Sequence, residues 1–260
     1  MKVSGYIITK NNGRSLKWAL ESVYKYLDEI IIVDSGSTDN TVEIAKQYTD
    51  KIYFNEFKDF SDQRNFAIKK CTGDWIFTMD ADEVMGENFF NIFKYLKNSK
   101  YKAFLLPRYN LVDINPCVFI NGPDHYSEWQ VRFFKNDGIC YYENPVHHQL
   151  KNCKPRLKIP YINIFHFHWL MYDRKKREER VKFYESIDND SGFERLYIFE
   201  KYKHTYLKTI EKIEPSLMNE LIKDKFVHYR YNISPFEQTR HIINIKIKKL
   251  LTNIRFNIGI

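Results

Sequence analysis

Apolar residues recur along this chain with two periods. Val3 to Ile8 is a short apolar run, and Glu29 to Val33 (EIIIV) is a continuous β-branched one, the pattern of a parallel strand covered on both faces. Trp75 to Met79 (WIFTM) repeats that pattern, and Ile52 to Phe54 is a shorter strand. Between them Leu16, Leu20, Val23 and Leu27 fall at helical spacing. Asn40 with Glu43 three residues on predicts a capping box for the next helix, Ser61 opens another, and Phe89, Ile92, Phe93 and Leu96 mark a further one. Strands alternating with helices predict an α/β fold, an open and mostly parallel sheet flanked by helices.

The pattern changes after residue 100. Ala103 to Tyr109 and Gln130 to Phe134 read as strands, and Tyr161 to Trp169 alternates cleanly, placing His166 and His168 on one face. From about Tyr172 the chain is charged and helical, beginning RKKREERVKFYE. This change predicts a boundary near Met171, with a catalytic α/β domain over 1–171 and a helical, basic extension over 172–260.

Composition adds little to this outline. Aromatics make up 17% of the chain, which codon bias in an AT-rich genome explains for the most part. A net charge of +8 suits anionic partners such as nucleic acid, anionic lipid or phosphorylated substrates without choosing among them. Cys71, Cys117, Cys140 and Cys153 contain no C-x-x-C pair, so neither a zinc knuckle nor a disulfide scaffold is expected, and a reducing cytoplasm is the default location. The short apolar run before Lys10 lacks the pattern of a signal peptide, and no stretch is apolar enough to span a bilayer.

Candidate chemistry collects at predicted strand ends, where open α/β sheets bind their ligands. Thr9 to Asn12 follows the first strand, Asp34 to Asp39 the second, and Asp80 to Glu83 the fourth. Three carboxylates within Asp80-Ala81-Asp82-Glu83 repel one another unless a cation neutralises them, and oxygen ligands suit Mg²⁺ or Mn²⁺. A solvated acidic turn is the plainer alternative; the buried strand before it favours the metal. Asp34 at its turn suits a ribose or base contact, while turn chemistry accounts for Gly36 and part of the Ser/Thr content.

The stretches IITKNNGRSLKWALESV, DEIIIVDSGSTDNTVEIAKQY, DFSDQRNFAIKKCTGDWIFTMDADE and EWQVRFF resemble family 2 glycosyltransferases, within the branch of lipopolysaccharide-core and peptide S-glycosyltransferases. The resemblance implies a GT-A fold, a nucleotide-sugar donor (a UDP-sugar by preference) and transfer with inversion. It implies that Thr9, Asn11 and Asp34 lie against the nucleoside, that Arg64 touches base or diphosphate, and that Asp80 and Asp82 are the D-x-D pair, with Ala81 against the donor between them. An inverting transferase needs a general base, which the family supplies from a Glu-Asp pair. Here Ser127 stands at the first of those positions, so Glu128 is the expected base and Asp124 the reserve. His166 and His168 are candidates for a nitrogen ligand to the cation or for holding the diphosphate. His147 is assigned to donor or acceptor contact, although His148 departs from the His-Glu of the relatives.

The expected function is therefore transfer of a sugar to a glycan, lipid-linked saccharide or polypeptide. A nucleotidyltransferase of similar sheet topology is the alternative enzyme, and TKNNGRS is a poor phosphate loop for it. A nucleic-acid-binding module lacks any recognisable signature, so no nucleic acid is expected. The last stretch, INIKIKKLLTNIRF, mixes Ile243, Ile247, Leu250, Leu251 and Ile254 with basic residues. It suits peripheral contact with a membrane or packing against a second copy, and its interruptions at Asn253 and Asn257 favour the homodimer.

Overall fold

The computed structural model describes residues 1–97, 99–114, 117–121, 128–146, 148–188, 193–198, 206–209, 243, 246–247 and 250–254. The chain opens with β1 (Val3–Thr9), α1 (Leu16–Glu21), β2 (Glu29–Asp34), α2 (Thr41–Ala45), β3 (Ile52–Phe54), α3 (Phe60–Ile68), β4 (Trp75–Asp80), β5 (Glu83–Met85) and α4 (Phe93–Leu96). There follow β6 (Ala103–Ile114), β7 (Cys117–Asn121), β8 (Glu128–Lys135), β9 (Tyr141–Glu143), β10 (Gln149–Lys151), β11 (Arg156–Lys158) and β12 (Ile164–His166). The described elements end with α5 (His168–Met171), α6 (Arg174–Ile187), α7 (Phe193–Tyr197) and β13 (Tyr206–Thr209).

Two compact units emerge, interleaved along the chain. The first holds Met1–Met85, Phe89–Leu106 and Gln130–Lys158; the second holds Gly86–Asn88, Pro107–Trp129 and Ile159–Ile260. The expected boundary near Met171 rested on a change of residue character, which does not itself say which segments pack together.

In the first unit β3, β2, β1 and β4 lie side by side in parallel, and β8 runs antiparallel to β4. Every residue of β2 is buried, as the β-branched run requires of a strand with neighbours on both edges and cover on both faces. One core gathers Tyr6, Ile31, Val33, Ile76 and Phe134 from the sheet with Ala67 of α3 and Cys71 just beyond it. Burial pushes the Cys71 thiol up to about 12. The hairpin of β9 and β10 closes on this core, and Cys140 and Cys153 at its base are joined by a disulfide with Cα atoms 5.6 Å apart. That pairing was not expected: the two cysteines are 13 residues apart, and only the hairpin returns one to the other.

The second unit contains the later part of β6 with β7 antiparallel to it and β12 parallel to it. β13 pairs with β7, so the C-terminal extension contributes a strand as well as helices. The alternation over Tyr161–Trp169 does not make one long strand. β12 ends at His166, Phe167 turns with φ −97° and ψ 0°, and His168 begins α5. Phe165, Phe167 and Trp169 are buried, as expected of the apolar positions, but His166 and His168 are buried too. The capping box at α2 is also absent. Asn40 makes no side-chain cap; Asp39 takes that role, its Oδ1 accepting from Thr41 N at 3.0 Å.

Candidate functional site

The register of the parallel strands sets the first half of the site. Thr9 pairs with Asp34 and Ile8 with Asp80, so the three polar segments leave neighbouring strands at one end of the sheet. The two loops after β1 and β2 are laced together. Asn11, at φ 54°, accepts from Thr38 N at 2.8 Å and donates its own N–H to Ser37 Oγ at 2.8 Å. Asn12 N donates to Thr41 Oγ1 at 2.8 Å, and Gly13 N to Asp39 Oδ2 at 3.0 Å. Lys10 N donates to Asn12 Oδ1, which also accepts from Thr9 Oγ1. A side chain at Gly13 would place its Cβ 1.9 Å from Asn40 Oδ1, so the Asn40 side chain would have to swing aside to admit it.

This lacing bears on the chemistry. The amides of residues 10–13 already donate within the protein, so this loop is no cradle of free N–H groups for phosphate, as a nucleotidyltransferase would need. Asp34 is similarly engaged: its Oδ2 accepts from Gly36 N at 2.9 Å and Ser37 N at 2.8 Å. Turn chemistry therefore explains more of Asp34 than its sequence position implied, and a ribose would use its remaining lone pairs. A depression of about 540 Å³ lies beside it, lined by Asp34, Val42, Lys46, Asp50, Ile52 and Phe54.

The acidic turn after β4 is built around two buried arginines. α3 starts on an Asp59 cap, whose Oδ1 accepts from Asp62 N. It then points Arg64 inward to Thr78 Oγ1 at 2.9 Å and to Asp80 Oδ1. Arg64 is 2% exposed and rests on the Tyr142 ring. Burial opposes its charge, but the Asp80 carboxylate, Tyr6 and Tyr142 outweigh that and hold its pKa above the ordinary value. Arg132 reaches in from β8 to Glu83 and, at 3.4 Å, to Asp80 Oδ2. Glu83 is wholly buried and also accepts from Asp80 N at 2.9 Å. The resemblance implies that Arg64 touches base or diphosphate; in the fold its guanidinium is held by Thr78 and by Asp80, the first aspartate of the acidic turn.

Within EWQVRFF nothing marks Arg132 as buried, and its partner Glu83 stands 49 residues away in the chain. Arg132→Met takes the guanidinium from the buried Glu83 carboxylate and should cost about 3–5 kcal/mol in urea unfolding. Removing both charges, with Glu83→Leu added, should restore most of that, since a buried pair contributes little beyond its own desolvation.

The chemistry of this donor set fits a hard divalent cation. Asp80 and Glu83 are shared with guanidinium groups, and Asp82, 8% exposed, stands between them on the turn before β5. Mg²⁺ and Mn²⁺ commonly use one or two carboxylates with substrate phosphates and water completing the shell. Among the described residues no three His, Cys, Asp or Glu side chains are grouped as a protein-only cage. Ala81 is buried between the two aspartates.

Glu128, His166 and His168 belong to the second unit. Glu128, at the start of β8, is bound by Arg108 through Nε at 3.0 Å and through Nη2, and accepts from Asn110 Nδ2 at 3.3 Å. Burial pushes the carboxyl up, but the charge and hydrogen bonds of Arg108 prevail and hold it below the ordinary glutamate value. The β6–β12 register places Asn110 opposite His166, and Asn110 Oδ1 lies 2.9 Å from His166 Nδ1. Because a carboxylate only accepts, Glu128 fixes which way the Asn110 amide points. His166 then donates from Nδ1 to Asn110 Oδ1. His168 is the opposite case. Arg180 donates to its Nδ1 at 2.6 Å, so a neutral ring carries its proton on Nε2, an arrangement that does not offer nitrogen to a cation. Asp124 and His147 lie outside the described residues.

A protein-family model for "Glycosyl transferase family 2" matches residues 4–113. An uncharacterized glycosyltransferase of Rickettsia felis is 39% identical over 95 residues, which are 36% of this chain and 34% of that protein. The lipopolysaccharide core biosynthesis glycosyltransferase LpsC of Rhizobium meliloti is 34% identical over 88 residues, 32% of each chain. The SPbeta prophage-derived glycosyltransferase SunS of Bacillus subtilis is 31% identical over 164 residues, 60% of this chain and 36% of that one. The matches thus span about a third of the length of these curated relatives. Among solved structures, S. aureus TarS aligns at 17% identity and a TM-score of 0.43 over 55% of this chain and 30% of that one. Glucosyl-3-phosphoglycerate synthase of Mycobacterium tuberculosis, in complex with Mn²⁺ and UDP-glucose, aligns at 17% identity and a TM-score of 0.36, over 42% and 43% of the two chains. Over residues 4–113, then, this chain is similar to the glycosyl transferases of family 2.

Proposed function

We propose that this chain moves a sugar from a nucleoside diphosphate donor, a UDP-sugar by preference, to a glycan, lipid-linked saccharide or polypeptide acceptor, with inversion. The observation that carries this reading is the meeting of Thr9, Asp34 and Asp80 at the same ends of three adjacent parallel strands, within the stretch similar to family 2. Asp34 and the loop bearing Thr9 and Asn11 would receive the nucleoside. Asp82 would hold a divalent cation, which when bound neutralises charge on the departing diphosphate.

In the proposed reaction an acceptor oxygen or sulfur attacks the anomeric carbon as the bond to the diphosphate oxygen breaks. The nucleoside diphosphate leaves with that electron pair, and Glu128 takes the acceptor's proton. The Asp80–Arg64–Arg132–Glu83 cluster would keep the turn carrying Asp82 in one shape.

Thermal unfolding with a panel of nucleoside diphosphates and sugar nucleotides, with and without Mn²⁺, tests the donor class. A ligand at a hundred times its Kd stabilises by about 2.7 kcal/mol, and the stabilisation by sugar nucleotide should require the metal. No stabilisation by any sugar nucleotide under either condition would overturn the proposal.

A further inference from the structure

The described residues near the C-terminus, Ile243, Lys246, Ile247 and Leu250 to Ile254, are helical. Ile243, Ile247, Leu250, Leu251 and Ile254 are between 44% and 62% exposed. At about 100° per residue they share an arc about 100° wide. Thr252 falls on the opposite side and is the buried member, at 7% exposure. A helix packed on its own core does the reverse, burying the aliphatic stripe and showing threonine to water. Asn253 is half-buried and lies off the arc, so it does not interrupt the stripe.

Charge chooses between the two occupants that the sequence left open. Residues 242–260 include Lys246, Lys248, Lys249 and Arg255 and no Asp or Glu. Lys246 is exposed and stands beside the stripe. A second copy docked through this segment would bring like charge against like, with no carboxylate in either segment to offset it. An anionic lipid surface offers the complementary charge and an apolar layer for the stripe. No helix among the described residues is long and apolar enough to cross a membrane, so contact through this face would be in the plane of the interface. We propose that this face of the C-terminal segment is an anionic-membrane docking surface, with the Ile and Leu stripe at the acyl boundary and Lys246 among the headgroups. The inference is independent of the sugar-transfer reading.

Flotation of the full chain with phosphatidylcholine vesicles, with and without phosphatidylglycerol, tests it. The wild type should float with the anionic vesicles and detach as salt rises. Ile247→Asp with Leu251→Asp should lower the partition coefficient by at least about tenfold, as expected from losing two aliphatic anchors, at unchanged circular dichroism. Lys246→Gln with Lys248→Gln and Lys249→Gln keeps the stripe and should weaken binding to phosphatidylglycerol vesicles alone. The proposal is overturned if the wild type does not float, or if both variants float as well as it does. A wild-type dimer by light scattering that the Asp variant converts to monomer, without vesicle binding, would assign the face to a second copy instead.

Discussion

Asp82→Asn should abolish sugar transfer and leave the protein folded. The substitution keeps the size of the side chain and removes a negative charge from the acidic turn that ends β4, the proposed seat of the cation. The residual rate should be lower by about a thousandfold or more, since removing a single preorganised group that stabilises developing charge already costs on the order of 10²–10³. Metal-dependent stabilisation by the sugar nucleotide should disappear with it, while the melting temperature without ligand stays the same or rises. Asp80→Asn should behave differently, because it also strips Arg64 of its carboxylate and so loses stability as well as activity. An Asp82→Asn enzyme with near-normal metal-dependent turnover would place the donor's cation elsewhere.

The second large effect concerns the proposed base. Glu128→Gln should lower kcat by about a hundredfold or more with little change in donor affinity, the scale of lost general base catalysis. The pH profile discriminates further. Arg108 lowers the carboxyl pKa, so Glu128 stays ionised as pH falls past the ordinary glutamate value of about 4.3, and the acid limb of kcat should lie below that. The stability Glu128 gains from the pair is likewise present above that value and lost as pH falls through the lowered one. Arg108→Gln should move the acid limb upward. If Asp124→Asn gave the hundredfold loss and Glu128→Gln did not, Asp124 would be the base and Glu128 the group that orients Asn110 and His166.

The parallel half of the sheet was legible because its signals are local. EIIIV and WIFTM carry the strand pattern within a few residues, and β2 and β4 start on the same residues the pattern named, with Ile52–Phe54 recovered as β3. What failed was decided at a distance. Asp39 displaced Asn40 as the cap of α2 because it also receives Gly13 N from a loop 26 residues away. Alternation ended at Phe167 because His168 turns into a helix, where Arg180 from α6 meets it. Arg108 and Arg132 carried no local signal, since an arginine in a strand reads as solvent-facing until its carboxylate arrives from another strand. The disulfide of Cys140 and Cys153 depends in the same way on a hairpin that no short apolar run announces.

The bonds that lace the loops after β1 and β2 have a kinetic consequence. Asn11, Asn12 and Gly13 are already fastened to Ser37, Thr38, Asp39 and Thr41, so the entropy of ordering these loops is spent during folding and not at each encounter with a nucleotide. If the donor binds there as proposed, its nucleoside meets a finished surface. Differences among nucleotides should then appear in how long each one stays, with arrival rates nearly alike.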